Sequence, residues 1–230
     1  LLNINPVRTK NFNWDITATW VKLIKNDVIE IAPGLDRITN ATGDFGTSSY
    51  VAYLVTQKGA RWGQMFGGGF KRIDGQKVVG ADGQFVRQAD VYLGSVLPEF
   101  TGGVQNSLTW KNIVLNFNID YQQGGKFFSL SDFWGSFSGL TAKTGTVNDK
   151  GNPVRDAVAD GGGVRVDGVD TDGKPVTTYV DAQTYYHQFQ SKGISENSIY
   201  DLTFVKLREV SLGYRFDLVK MGISKKITGA

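Results

Sequence analysis

The sequence predicts an all-β protein whose strands form part of a transmembrane antiparallel β-barrel with long extracellular loops. Three observations carry that expectation. Four segments alternate apolar and polar residues with a period of two, over about the ten residues that a tilted strand needs to cross a bilayer. Their apolar faces hold aromatic residues at or near the ends, and their opposite faces are rich in Asn, Asp and Thr, which suits a wall between lipid and a wet lumen. The connections between them alternate between minimal and very long, as in outer-membrane barrels.

The first spanning segment is 11–22. One face reads Phe12, Trp14, Ile16, Ala18 and Trp20, the other Asn11, Asn13, Asp15, Thr17 and Thr19. Residues 102–110 form the second, with Val104, Leu108 and Trp110 on one side. Asn106 falls on that same side, and a bulge would be needed to rotate it inward. Lys111-Asn112 is a two-residue hairpin connection. The third segment, 112–122, sets Ile113, Leu115, Phe117, Ile119 and Tyr121 against Asn112, Val114, Asn116, Asn118 and Asp120. In the fourth, 203–216, Val210, Leu212, Tyr214 and Phe216 oppose Glu209, Ser211, Gly213 and Arg215. The apolar set is expected to face lipid.

Asp217 to Lys226 is a short connection, like Lys111-Asn112. By contrast 123–202 is about eighty residues, far beyond an ordinary loop, and 23–98 is of similar length. Both are expected to be extracellular excursions, the earlier one holding short strands near Ser49–Val55 and Gln64–Ile73. Lys111 then lies on the periplasmic side. Four strands cannot close a barrel, which needs about eight, and open edges are not tolerated in hydrocarbon. The sequence is therefore expected to be a fragment of a larger wall.

Composition narrows the chemistry. The chain has 230 residues, a formal charge of +3 and no Cys. Disulfides and thiolate metal sites are excluded, and the charge balance, with no basic stripe, argues against nucleic acid. The N-terminal residues lack the pattern of a signal peptide, and no apolar run approaches a spanning helix. His187 is the one histidine, which suits a structural role better than a metal site. Asp167 to Gly173 superficially resembles a calcium loop, but it lacks the spacing and distal Glu of an EF-hand and reads more simply as an Asp-Gly turn. Gly67-Gly68-Gly69 and Gly161-Gly162-Gly163 lack the Lys-Ser/Thr of a phosphate cradle. Gly135-Ser136-Phe137-Ser138-Gly139 has Phe where a nucleophile elbow needs Ser. Glu196 and Asp201 read as solvated loop carboxylates. No enzyme activity, cofactor or metal is expected. Phe127, Phe128, Phe133, Trp134, Phe137, Tyr185 and Tyr186 lie in the second excursion. They either pack it or grip a ligand, with Trp134, Tyr185 and Tyr186 the candidates for ligand contact.

Five ordered motifs resemble the barrel of the SusC/RagA family of TonB-dependent transporters. These are Asn5-Pro6-Val7-Arg8-Thr9-Lys10-Asn11-Phe12-Asn13-Trp14-Asp15, similar to a periplasmic turn and strand start, and Tyr92-Leu93-Gly94 with Pro98 and Gly102-Gly103, similar to the lead into a strand pair. Asn106 with Trp110-Lys111-Asn112 follows, then Asp120-Tyr121-Gln122-Gln123-Gly124-Gly125. The last and most specific is Phe204-Val205-Lys206-Leu207-Arg208-Glu209-Val210-Ser211-Leu212-Gly213-Tyr214. The resemblance implies a barrel of about 22 strands, the size that carries a plugged lumen. It also implies an N-terminal plug, which is not recognisable in these residues, together with energy from TonB and a SusD/RagB-like surface lipoprotein over the outer loops. Its setting would be the outer membrane of a Bacteroidetes-like bacterium, importing oligosaccharides or peptides. Two other readings remain open: a soluble, secreted β-sandwich binding module, and a passive porin.

Overall fold

A computed structural model describes residues 1–42 and 52–216. The expected strand residues Ser49 to Val51 and the short connection from Asp217 lie outside the described residues. In chain order the strands are β1 (Leu2–Arg8), β2 (Phe12–Lys22), β3 (Arg37–Thr42), β4 (Tyr53–Gln57), β5 (Gln64–Phe70), β6 (Arg72–Ile73), β7 (Gln76–Lys77) and β8 (Arg87–Ser95). They continue as β9 (Phe100–Trp110), β10 (Ile113–Gln123), β11 (Lys126–Phe128), β12 (Val164–Val169), β13 (Pro175–Val180), β14 (Ile199–Asp201) and β15 (Phe204–Tyr214). Two helices, α1 (Leu130–Phe137) and α2 (Ala182–Ser191), interrupt this mostly β chain.

The described residues divide into two compact units: 1–24, 98–124 and 202–216 in the first, and 25–42, 52–97 and 125–201 in the second. The first holds one antiparallel sheet in the order β1-β2-β9-β10-β15. Its three central strands are regular over eleven paired positions: Phe12 opposes Trp110 and Lys22 opposes Phe100, while Ile113 opposes Trp110 and Gln123 opposes Phe100. Because side chains alternate strictly, this register puts Trp14, Leu108 and Leu115 on one face in a row, and Ile16, Asn106 and Phe117 in the next.

Three sequence expectations change here. The stretch read as a turn before the first strand is itself a strand, β1, and the turn is confined to Thr9 to Asn11. The signal was hidden by a register shift between Ile4 and Val7, where Pro6 lacks the N–H that a ladder position requires. The bulge keeps Leu2, Ile4 and Val7 all on the apolar face, opposite Ala18, Ile16 and Trp14, at a spacing that is no longer two. No bulge occurs at Asn106; the strand passes through it in register. Phe216 lies past the end of β15, its ring 4.7 Å from that of Tyr214.

A second bulge sits in β15. Glu209 pairs with Asn118 but Leu207 pairs with Ile119, leaving Arg208 as the extra residue. Val205 and Leu207 thereby join Val210, Leu212 and Tyr214 on the apolar face. The hairpin at Lys111-Asn112 is a two-residue loop with Lys111 at φ 50°, the positive φ that a primed hairpin turn needs at its first central residue.

The second unit draws its core from both long excursions, which pack as one body. Phe70, Val79 and Phe85 from the first meet Phe133, Val166, Val180, Phe189 and Ile194 from the second. A four-stranded sheet in the order β3-β4-β5-β8 and the hairpin β12-β13 supply most of the β structure. The short strand expected over Gln64 to Ile73 is broken into β5 and β6. The glycine triplet 67–69 is a packing device. A Cβ on Gly68 would overlap the carbonyl oxygen of Gly193, and one on Gly69 would lie 2.8 Å from Glu196 Oε2.

Candidate functional site

Two surfaces have chemistry to offer, and they differ in kind. The first is the apolar face of the five-stranded sheet. Its flank along β15 is bare, with Leu212 75% exposed, Val205 69% and Val210 58%, as is Trp20 at 63%, while the apolar residues of β10 are half-buried. At one end Trp20, Phe100 and Tyr121 form a cluster with ring centroids 6.2 and 5.2 Å apart. At the other end lie Phe12, Trp110, Tyr214 and Phe216. From Phe12 to Trp20 is eight residues, about 26 Å along the strand at ~3.3 Å each. Between these belts the face is aliphatic apart from Trp14, Phe117 and Asn106.

Asn106 keeps its place on this face because it is satisfied there. Its Oδ1 accepts a hydrogen bond from the Trp14 indole Nε1 at 3.2 Å, and it is only 6% exposed. Such a pair removes two polar groups from the surrounding medium at once. Thus Phe12, Trp14, Ile16, Trp20, Ile113, Leu115, Phe117, Ile119, Tyr121, Val210, Leu212 and Tyr214 all occupy one face, joined by Leu2, Ile4, Val7, Val205 and Leu207, which period-two reading did not reach.

The opposite face is a polar network. Asn5 donates to Asp15, and Thr17 Oγ1 donates to Asn3 Oδ1 at 3.0 Å. Asn116 Nδ2 donates to Ser211 Oγ, and Asn118 Nδ2 to Glu209 Oε2, both at 3.3 Å. The bulge residue Arg208 reaches Asp120, Nε to Oδ2, at 2.6 Å. The two faces therefore suit different solvents.

The second surface is a pocket of about 380 Å³ in the second unit, between the C-terminal end of α1 and the N-terminal end of α2. α1 begins at Ser129, whose Oγ accepts from Asp132 N, and ends in Gly139 at φ 69°. α2 begins at Asp181, whose carboxylate accepts from Thr184 N at 3.1 Å. Phe137 and His187 stack across the gap with centroids 4.1 Å apart and planes at 22°. Arg155 is fixed by Nε to Thr144 O at 2.8 Å and Nη2 to Gly139 O at 2.6 Å. The Tyr186 hydroxyl donates to Lys143 O at 2.5 Å.

Of the ligand candidates read from the sequence, only Tyr186 lines this pocket. Trp134 and Tyr185 pack against the core, and burial, with the Tyr186 phenol beside it, pushes the Tyr185 hydroxyl up to about 12. Phe137 and His187 line the pocket instead. Adjacent aromatics do not reveal which ring turns inward, because a helix separates neighbours by about 100°. Asp167 to Val169 end β12, and Asp170 to Lys174 close the β12-β13 hairpin, with Asp170 Oδ1 accepting from Asp172 N and Lys174 N at 2.9 and 2.8 Å. Among the described residues no three His, Asp or Glu side chains cluster as a metal site would need.

Two carboxylates tie the unit together. Burial opposes the charge on Glu196, but Arg72 at 2.6 Å and the Phe70 N–H at 2.8 Å outweigh it, so this carboxyl sits below its ordinary range. Asp132 behaves alike: burial opposes it, while Lys143 at 2.7 Å and the Ser198 hydroxyl at 2.8 Å hold it low.

No protein-family model matches the chain. It is 28% identical over 243 residues to TonB-dependent receptor P26 of Formosa agariphila, in an alignment that takes in 96% of this chain and 22% of that protein. The chain thus spans about a fifth of the length of the curated relative it matches. Along nearly all its length it is similar to one segment of a TonB-dependent receptor.

Proposed function

We propose that this chain is part of the wall and outer loops of a SusC/RagA-type TonB-dependent importer in a bacterial outer membrane. It takes up oligosaccharides or peptides together with a SusD-like surface lipoprotein and is not an enzyme. The observation that carries this reading is the sheet with one bare apolar face, aromatic at both ends and aliphatic between. The ~26 Å between its belts is close to the apolar band of about 25 Å of outer-membrane barrels, less the shortening by strand tilt.

The mechanism follows from the two faces. The apolar side chains dissolve the wall in lipid, while the Asn, Thr and Asp network lines the aqueous lumen. The outward edges of β1 and β15 carry N–H and C=O groups that hydrocarbon cannot satisfy, so further strands of the receptor continue the sheet on both sides. The 25–97 and 125–201 unit stands on the extracellular side, where the lipoprotein docks. Ligand held there passes when TonB, drawing on the inner-membrane gradient, remodels the plug.

Energy coupling separates this account from a passive porin. In whole cells, uptake of the cognate solute stops when TonB is deleted or the proton gradient collapsed. Uptake that persists at the same rate under both treatments would sink the importer reading.

A further inference from the structure

We propose that the turn end of the five-stranded sheet is a docking rim for the phosphates of anionic phospholipids. This rests on the barrel-wall reading above and goes beyond it, because that reading asks only for hydrocarbon beside the apolar face.

Charge is unequal at the two ends of the sheet. Among the described residues the turn end carries Arg8, Lys10, Lys111 and Arg215, all exposed, against one carboxylate, Asp15. Asp15 lies 3.8 Å from Arg8, which leaves the other three cations in excess. The opposite end is closer to balance: Lys22, Lys206 and Arg208 stand with Glu99 and Asp120, and Arg208 is bound to Asp120 at 2.6 Å.

The cations of the turn end are carried on one tied row of backbone. Thr9 N donates to Phe12 O at 2.8 Å and Thr9 Oγ1 accepts from Phe12 N at 2.9 Å, closing the turn between β1 and β2. Lys111 N donates to Asn11 O at 2.8 Å, joining that turn to the β9-β10 hairpin. Arg215 N donates to Asn112 O at 2.8 Å, and Asn112 Nδ2 donates back to Arg215 O at 2.9 Å. With neighbouring strands ~4.8 Å apart, the two turns lie about 10 Å apart and Arg215 about 7 Å beyond the hairpin. Binding therefore has only side chains to order, not the backbone that carries them.

Lys111 shows which side the charge serves. Its Nζ lies 5.6 Å from the centroid of the Trp110 ring, and Trp110 is an exposed member of the apolar face. The ammonium thus stands beside the aromatic belt of Phe12, Trp110, Tyr214 and Phe216, not over the Asn and Thr face. Such belts sit where hydrocarbon meets headgroups, and a lysine there lays its stem along apolar surface and carries its charge into the headgroup layer. A zwitterionic headgroup brings its own cation to its phosphate, and an anionic one leaves that phosphate to the protein. Excess positive charge on the rim therefore selects the anionic lipid.

The test uses the full-length receptor in vesicles of phosphatidylcholine and phosphatidylglycerol in equal parts. A fluorophore is attached through Phe12→Cys or, in a second protein, through Trp20→Cys at the opposite belt. Quenching by tail-brominated phosphatidylglycerol is compared with quenching by tail-brominated phosphatidylcholine. The expected result is a preference of about fivefold or more for phosphatidylglycerol beside Phe12, the effect of one engaged cation, and none of that size beside Trp20. Lys111→Gln should at least halve the preference and Lys111→Arg should keep it. Lys10→Gln, Lys111→Gln and Arg215→Gln together should bring it to parity, as should 1 M salt, where charges are screened beyond about 3 Å. Three outcomes would overturn the proposal: equal quenching by the two lipids beside Phe12, a preference that survives the triple substitution, or one abolished by inorganic phosphate at constant ionic strength. Quenching by neither lipid at either site would count against the barrel wall itself, while quenching by both without preference would count against the rim alone.

Discussion

The two units of this chain handle apolar side chains in opposite ways. In the second unit Phe189 is 3% exposed and Val166 1%, enclosed by neighbours drawn from two distant stretches of sequence. In the five-stranded sheet, residues just as apolar are turned outward, with Leu212 at 75% and Leu207 at 62%. One unit builds its own dry interior; the other turns its apolar residues outward, as the proposed lipid-facing wall would. That contrast teaches that the hydrophobic content of a strand does not tell where its apolar face will go. The regular alternation and the placement of its aromatic rings carry more of that information.

The largest expected effect tests the enclosed core. Phe189→Ala should cost about 3–5 kcal/mol of local stability in the second unit, read as lost hydrogen-exchange protection in α2 and β5. The sheet should keep its protection and still insert; loss of both together would mean that the units do not stand apart. Next comes the face proposed to meet lipid. Phe117→Arg in the full-length receptor should cost about 2–4 kcal/mol of stability in lipid, measured by reversible unfolding from vesicles, while Asn118→Arg on the opposite face should cost far less. Equal effects at the two positions would erase the distinction between the faces.

A smaller effect is expected at Glu196. Glu196→Gln leaves Arg72 without its charge partner and should cost about 1–3 kcal/mol at neutral pH. The carboxyl is held low in the folded unit, so its contribution is fully present above the unfolded value of about 4.3 and is lost as pH falls through the folded value. The gap between wild type and variant should therefore close on acidification, as followed by exchange of the Phe70 amide. A gap that widens in acid would contradict the assigned partners. The smallest effect concerns the Trp14–Asn106 pair. Asn106→Leu should cost about 0.6 kcal/mol, the typical value of a hydrogen bond inside a membrane, and adding Trp14→Phe should recover most of it.

The contrast also explains what the sequence could show. β2, β9 and β10 lie in the middle of the sheet, pair on both sides and keep an unbroken period of two, so their faces were legible residue by residue. β1 and the first half of β15 lie on its flanks, and each carries a one-residue bulge that shifts the apolar phase: Leu2, Ile4, then Val7, and Val205, Leu207, then Val210. A period-two reading loses them there. Asn106 looked misplaced because its partner, Trp14, is 92 residues away in the chain. The second unit was the least legible. Its core joins Phe70 and Phe85 to Phe133 and Phe189 across long separations, and no local pattern marks such contacts. For the same reason Trp134 and Tyr185 read as ligand residues although they pack inward, while Phe137 and His187 were not singled out for the pocket.

The most direct measurement places single cysteines in the full-length receptor at Leu115, Phe117 and Leu212, and at Asn116, Asn118 and Ser211. Each is labelled with a fluorophore and reconstituted in vesicles, then exposed to quenchers attached to lipid tails or dissolved in water. The account predicts that lipid-attached quenchers reach the first three sites and water-soluble quenchers the last three. Shielding of Leu115, Phe117 and Leu212 from both quenchers would show that the face is covered by protein, and would contradict it.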